Sequence, residues 1–482
     1  MAPSNGPSAD HTLVERPFYG IVLAFNRLRS LRLSLHGVWK ARGYGWLLEI
    51  DAAGYALSDS TDLSCVEFER GTRGEFERGF DRIEVTATEL GLNVRGDITR
   101  YDFDRITAPP LPILRVSEPR NTDARYNFDV LWRTFDQDYA FFARHGVDWQ
   151  AIRHRHRGRV TPATTPDELR RIFEEMLEVL RDNHVYLQTD TSYFVSDKIA
   201  DIKRWMIDAF ALESASLGER RTVAAYQRFI ANEILGGRAR VAGNNLVTWG
   251  YVAPRIAYVA LLRLFGFADT PDAIAATGLP KRRYEAADLL ADDLGAVDRI
   301  LDAAMRDVAE ADALILDVRV NGGGFDRIGI RIANRFADRR RLAFTKRALV
   351  AGGLGALQPQ YVEPEGALRF TKPVYLLTAE RTASAAEILT LAMMALPNVT
   401  RIGRPTLGIF SDDLAKHLPN GWVTSLSNEI YADPNGIVYE GAGVPPQVEV
   451  PVFRPRNLRA SLKLAVDAAV ALATDGAASH SG

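Results

Sequence analysis

The sequence predicts a mixed α/β protein: a core sheet covered by helices, a helical region before it and a small β domain at the N-terminal side. Three observations carry this. Short apolar runs alternate with long helical stretches from Asn245 onward. The period turns helical between Asn121 and about Thr189. Between about Gly37 and Asp104, short strand-like runs are separated by glycine, aspartate and serine.

The β region is read from Tyr44 to Ile50, Cys65 to Phe68, Arg82 to Thr86 and Leu92 to Val94, as a small antiparallel sheet or barrel. Ala108-Pro109-Pro110-Leu111-Pro112 is a stiff linker and a boundary. Phe128, Leu131, Trp132 and Phe135 share one helix face. Thr165-Pro166-Asp167-Glu168 supplies a cap, a first-turn proline and a capping-box glutamate for a second helix. That helix is expected to end near Arg181-Asp182, leaving Asn183 and His184 just beyond it. Residues 199–237 read as helical, 245–251 and 256–260 as strands, and 286–311 as a long helix. Ala313 to Val318 and Val374 to Thr378 are buried strands. The expected division is 1–30 as a tail and lead-in, 31–110 as the small β domain, and 113–200 as the helical region. The core follows at 201–470, then a flexible tail at 471–482.

Bulk properties exclude several classes. A net charge of −2 gives no electrostatic footprint for nucleic acid or an acidic membrane surface. Cys65 is the only cysteine, so an internal disulfide framework and a cysteine-based metal cluster are excluded. No apolar run reaches the length of a membrane span. Ile21 to Phe25 is too short and too late for a signal-peptide core. The expected location is cytoplasmic, with secretion by an unrecognised signal left open.

The chemistry concentrates at a few positions. Ser384, in Thr382-Ala383-Ser384-Ala385-Ala386-Glu387, stands where a buried strand turns into a helix. A helix start offers unpaired N–H groups and positive dipole, which favour negative charge on a nearby oxygen. A serine nucleophile and its tetrahedral adduct need that. The plainer reading is a helix cap. Asn321-Gly322-Gly323-Gly324 follows the buried strand ending at Val318 and precedes the helical run 327–336. Its bare backbone suits an anion cradle or one wall of an oxyanion hole, or simply makes a turn. The phosphate-loop and GxGxxG patterns are absent.

A serine nucleophile needs a base, and the chain has eight histidines. His11 and His480 lie in the tails. His154 and His156 sit among arginines, expected on a solvated face, and His36 and His145 have no acidic or glycine-rich setting. His184 follows an amphipathic helix, and His417 lies in Lys416 to Gly421. By position alone His184 reads more readily as a structural histidine, and Glu440 as a solvent-exposed turn glutamate.

Taken together, these segments resemble the tail-specific (C-terminal-processing) protease family, in its tricorn-core-like branch. The resemblance covers roughly residues 121–450 and rests on six motifs in the family's order. These are Asp182-Asn183-His184-Val185, Leu316-Asp317-Val318-Arg319 with Asn321-Gly322-Gly323-Gly324, and Thr382 to Glu387. Ile402 to Gly408, Leu418-Pro419-Asn420-Gly421 and Tyr439 to Pro445 complete the set.

The resemblance implies a crotonase/ClpP-like ββα core and a serine peptidase acting near C-termini of peptides or proteins. Ser384 would be the nucleophile, His184 the base and then the acid, and Glu440 the carboxylate that orients the imidazole. Backbone N–H groups of Ala385 and of Gly323 or Gly324 would form the oxyanion hole. No metal or organic cofactor is implied. The partner is a peptide or protein substrate, and the oligomeric state, including a homo-oligomer, is left open.

The family's Ser–Lys variant carries its lysine where this chain has Ile409, and Lys416 lies seven residues further on. The Ser–His–Glu version is therefore expected. Asn183 stands where the family has glycine, and Pro446 where it has aspartate. No PDZ texture appears between Thr189 and Asn245. Two other functions stay open on the same core: a non-catalytic protein holding an apolar small ligand, as in retinoid-binding relatives, and acyl transfer or peptide cyclisation by the same serine.

Overall fold

A computed structural model describes residues 35–209, 218–270, 283–454 and 456–480. The N-terminal unit is one antiparallel sheet of seven strands: β1 (Gly37–Ala41), β2 (Trp46–Ile50), β3 (Tyr55–Ser60), β4 (Cys65–Gly71), β5 (Phe80–Val85), β6 (Glu89–Val94) and β7 (Arg100–Ile106). The order is β4-β3-β2-β1-β7-β6-β5, with a short helix at Arg73–Arg78 closed by a Thr72–Glu75 capping box.

The helical region follows, with helices at Ala124–Asp138, Trp149–Arg157 and Pro166–Glu178. Thr165 accepts from the Glu168 N–H and Glu168 accepts from the Thr165 N–H, as the capping-box sequence predicts. Phe128, Leu131, Phe135, Phe173, Met176 and Leu177 from these helices form one core that also takes Leu48 and Phe103 of the first sheet. His156 departs from the expected solvated face. It is buried, with Arg159 and Glu175 over it, and burial lowers its pKa.

A four-stranded antiparallel sheet lies beyond the helices: β8 (Tyr186–Gln188), β9 (Tyr193–Val195), β19 (Asp413–His417) and β20 (Val423–Ser427), in the order β19-β20-β8-β9. The central sheet holds β10 (Arg240–Ala242), β11 (Val247–Ala253), β12 (Ile256–Leu261), β13 (Ala313–Asp317), β17 (Val374–Thr378), β18 (Val399–Gly403) and β22 (Val448–Glu449). They run in the order β10-β11-β12-β13-β17-β18-β22. β10, β11 and β12 are antiparallel, and from β12 onward each neighbour is parallel. β12, β13 and β17 are fully buried, which explains their unbroken apolar sequence.

Helices at Arg283–Asp307, Asp326–Ala333, Ala385–Met394 and Leu458–His480 supply residues to the core around this sheet. The last of these runs through most of 471–482, where a flexible tail was expected. Ala469 and Ala473, one turn apart, pack into the core and extend the helix. β14 (Arg341–Val350), β15 (Gly353–Leu354), β16 (Gln358–Val362) and β21 (Glu429–Ala432) form a further antiparallel sheet. Among the described residues no helix is long and apolar enough to cross a membrane.

Two buried lysines join the N-terminal sheet to the rest. Lys346 on β14 donates to Thr99 at 3.0 Å and pairs with Glu429 at 3.0 Å and Asp412 at 3.4 Å. Glu429 also accepts from the Tyr44 hydroxyl at 2.7 Å. Lys416 on β19 donates to the Tyr44 carbonyl and pairs with Asp138 at 2.9 Å. Its neighbour His417 stacks on Phe68 and bonds Asp59 at 2.8 Å. Lys416 therefore holds a seam between units, and its partners among the described residues are the Tyr44 carbonyl, Asp138 and Asp59.

Candidate active site

The site is built at the carboxyl ends of β13 and β17, adjacent parallel strands paired from Leu314–Val374 to Asp317–Leu377. Side-by-side loops at such strand ends are where open α/β sheets place ligands. The 318–325 loop and the 379–384 loop are cross-linked. Thr382 Oγ1 donates to the Val318 carbonyl at 2.9 Å, and the Ala383 N–H to the Asn321 carbonyl at 3.0 Å.

Beneath the first loop, Asp317 and Arg319 form a fully buried pair at 2.7 Å. Asp317 also accepts from the Tyr226 hydroxyl at 2.9 Å and from Tyr258, while Arg319 donates to the Leu462 carbonyl. This half of the sequence motif is an anchor for the loop. Asn321 then donates to the Leu261 carbonyl at 3.0 Å and accepts the Gly323 N–H at 2.9 Å.

Ser384 has φ +54° and ψ −129°, a left-handed conformation that side-chain-bearing residues rarely adopt. Gly323, at φ +99°, lies against it. A Cβ on Gly323 would fall 2.8 Å from the Ser384 Cβ and 2.9 Å from the Ala385 nitrogen, so only glycine leaves that face of the serine open. The Gly323 N–H is taken up by Asn321. Among the described contacts no hydrogen bond engages the N–H of Gly324 or of Ala385.

Glu387 holds the strained turn. Its carboxylate accepts from the N–H groups of Ser384 at 3.2 Å, Gly408 at 2.7 Å and Ile409 at 2.8 Å. It is fully buried, and desolvation pushes its pKa up to about 7 against those donors and Thr406. In an unfolded chain it titrates at the ordinary value of 4.5. Between these two values the native state holds the proton more tightly, so this contribution to stability is full below pH 4.5 and is lost as pH rises through about 7. A shift of that size amounts to roughly 3 kcal/mol. In denaturant titrations from pH 4.5 to 7.5, wild type is expected to lose that much relative to Glu387→Gln. Parallel pH curves for the two proteins would refute the assignment.

The remaining predicted residues stand on neighbouring loops. Gly408, at φ +87°, packs against the Gly441–Gly443 turn and accepts the Gly441 N–H at 2.8 Å. Glu440, before that turn, is buried and accepts from the N–H of Phe410 at 2.8 Å and Ser411 at 3.2 Å. Its Oε1 is buried with no partner, and burial beside Asp182 raises its pKa. His184 precedes β8. Its N–H donates to Asp182 at 2.9 Å, its carbonyl accepts from Ser425, and its ring Nδ1 is buried with no partner. Ser384, Gly323, Gly324 and Ala385 are thus brought together. His184 and Glu440 lie on adjoining loops, and no described hydrogen bond links either to Ser384.

Several residues here carried no readable signal. Lys198 donates to the carbonyls of Leu407 at 2.9 Å and Gly441 at 2.6 Å, tying the loop beside Ile409 to the turn after Glu440. Its charge acts on Glu387, Glu440 and Asp182. Asn183 anchors that lysine's loop, accepting the Lys198 N–H at 3.1 Å and donating to Asp197 at 2.8 Å. This gives the side chain at a position where glycine was expected a local task. His145 has an acidic and glycine-rich setting after all, with its ring against Gly441 and within the field of Asp182. Only a fold that brings residue 145 to residue 441 reveals that. Among the described residues no group of three or more His, Cys, Asp or Glu is arranged to hold a metal.

This geometry agrees with the comparisons. Residues 290–450 match the model of peptidase family S41, and residues 120–178 match the tricorn protease C1 domain. The S41 match covers about a third of the chain. Ser384, the glycine loop and Glu440 fall inside its limits, whereas His184 lies outside them. The carboxy-terminal processing protease CtpA of Bacillus subtilis is 30% identical over 146 residues, 29% of this chain and 28% of that protein. The chloroplastic C-terminal processing peptidase of Tetradesmus obliquus is 29% identical over 146 residues, 30% of each chain. The chain thus spans less than a third of the length of either relative. In structure it is similar to a protein of Parabacteroides merdae, with TM-score 0.56 and 25% identity, over 73% of this chain and 97% of that one.

Proposed function

We propose that the chain is a serine peptidase that hydrolyses peptide bonds near the C-termini of peptides or proteins by a Ser384–His184–Glu440 triad. The observation that carries this is the left-handed Ser384 at a helix start, held open by Gly323 and followed by the unengaged Ala385 N–H. Ser384 Oγ attacks the scissile carbonyl while His184 Nε2 takes its proton, and the same proton then passes to the leaving amine. Water repeats the sequence in the second half, with His184 as base, and frees the acid. The developing oxyanion is received by the N–H of Ala385 and Gly324, with helix dipole behind the first. Glu440 orients the ring through Nδ1. The triad would pair Glu440 Oε1 with His184 Nδ1, and these are two buried atoms left without partners. The preference for C-termini is carried over from the two relatives, a carboxy-terminal processing protease and a C-terminal processing peptidase. The succession β11, β12, helix, β13 supports reading the core as crotonase/ClpP-like ββα.

A fluorophosphonate probe tests this reading. Intact protein is expected to gain one adduct, mapped by peptide mass spectrometry to Ser384. An absent adduct, or one on another residue, would overturn it.

A further inference from the structure

The four-stranded sheet that follows His184 has two unlike faces. On one face, Leu187, Phe194, Leu414 and Leu426 enter the helical core. The strand register decides what the other presents. Asp413 is opposite Ser427, Thr424 opposite Leu187, Tyr186 opposite Val195, and Gln188 opposite Tyr193. Directly paired residues share a face, and so do residues two apart on one strand. Asp413, Tyr186 and Tyr193 therefore lie on one face of the sheet, with the buried Ser427 and Ser425 on that face between them, and Ser425 ties it to the His184 carbonyl.

Three properties of this surface point to a ligand. The rings of Tyr186 and Tyr193 lie 5.4 Å apart, and Tyr193 is 63% exposed although it is large and aromatic. Asp413 is exposed, and among the described residues it has no hydrogen bond or ion pair from its side chain. Its field nevertheless reaches His184, Tyr186 and Tyr193, and the only other charge acting on it is Asp412, which is itself paired with Lys346. Surrounding protein also pushes its pKa up to about 6, so it is still mostly ionised at neutral pH. An exposed, unpaired carboxylate on the sheet face that carries two phenol rings lacks one thing, a cation.

We propose that this face is a substrate subsite for a cationic side chain, lysine or arginine, with Asp413 as its counter-charge and the Tyr186–Tyr193 pair as its π-face. The inference rests on reading His184 and Ser384 as the peptidase centre, since that reading places a peptide beside the His184 end of β8. It adds a specificity that the triad alone does not supply.

Binding separates the two claims. Short fluorescein-labelled peptides carrying one arginine at successive positions are compared with their citrulline counterparts, which keep the shape and lose the charge, on Ser384→Ala protein. At one position arginine is expected to bind about tenfold more tightly, from an ion pair plus cation–π attraction. Adding Asp413→Asn is expected to bring that ratio to within about twofold, and Tyr193→Ala to lower it partway. Asp413→Lys is expected to make glutamate the favoured residue there. A ratio near one at every position, or a preference that survives Asp413→Asn, overturns the subsite. If wild type cleaves none of these peptides while the Asp413-dependent preference remains, the peptidase reading fails and the subsite stands.

Discussion

Replacing Ser384 with alanine is expected to lower peptide hydrolysis by roughly a millionfold, the loss seen when a nucleophile is removed from a group of residues that act as one. The size follows from the division of labour at the site. In the proposed triad, without Oγ neither His184 nor Glu440 has a bond to make, so their contributions disappear with it. What remains is orientation and the N–H donors of Ala385 and Gly324, worth about a thousand- to ten-thousandfold over water. The variant should fold. Ser384 N–H still reaches Glu387, and the Glu387 N–H still reaches the Ser384 carbonyl. The left-handed φ is no easier for alanine, so the strain stays as it was. Steady-state cleavage of a peptide mixture, read by mass spectrometry, checks this. Turnover within tenfold of wild type would remove Ser384 as the nucleophile.

The second large effect is on stability. Arg319→Met is expected to destabilise the protein by about 3–5 kcal/mol, the range for breaking a buried ion pair from one side. Asp317 would keep its two tyrosine hydroxyls and the Arg319 N–H but lose the guanidinium that now gives it two bonds. That guanidinium also holds the Asp317 pKa below its ordinary value, so its removal strands a charge in the core. The double variant Asp317→Asn with Arg319→Met should recover much of the loss, because no unpaired charge is left. Denaturant midpoints with unchanged slopes would measure both. An Arg319→Met protein within 1 kcal/mol of wild type would show that the pair contributes little.

How much was legible follows from where each residue finds its partners. β17 lies at Val374–Thr378 as read, and the Thr165 cap is where its local pattern places it, because burial on both faces and capping chemistry are written in adjacent residues. β19 was not legible. Its Asp413, Lys416 and His417 argue against a strand until Asp138, Asp59 and the Tyr44 carbonyl, all far away in the chain, satisfy the lysine and the histidine. β14 and β21 were missed for the same reason, since they pair across more than eighty residues of chain. At the site, Ser384 and the glycine loop announce themselves because each ends a buried parallel strand. The links from Lys198 to Leu407 and Gly441, and from Glu440 to Phe410 and Ser411, go to backbone atoms. Backbone atoms leave no trace in residue type.

The seam of buried lysines bears on how the chain can be divided. Lys346 and Lys416 are 0% and 2% exposed in side chain, and each takes a partner from the N-terminal sheet, Thr99 for one and the Tyr44 carbonyl for the other. Cutting away everything before residue 107 would open both ammonium groups to water and strip their neighbours Glu429 and Asp138 of shelter. Glu429 opens β21, whose chain leads on to the Glu440 turn, and Lys416 lies on β19, which directly follows Ser411 and Asp412. The first seventy or so described residues are therefore part of the packing around these ion pairs, and a chain trimmed of them would bare two buried charges next to the loop that carries Ser411 and Asp412.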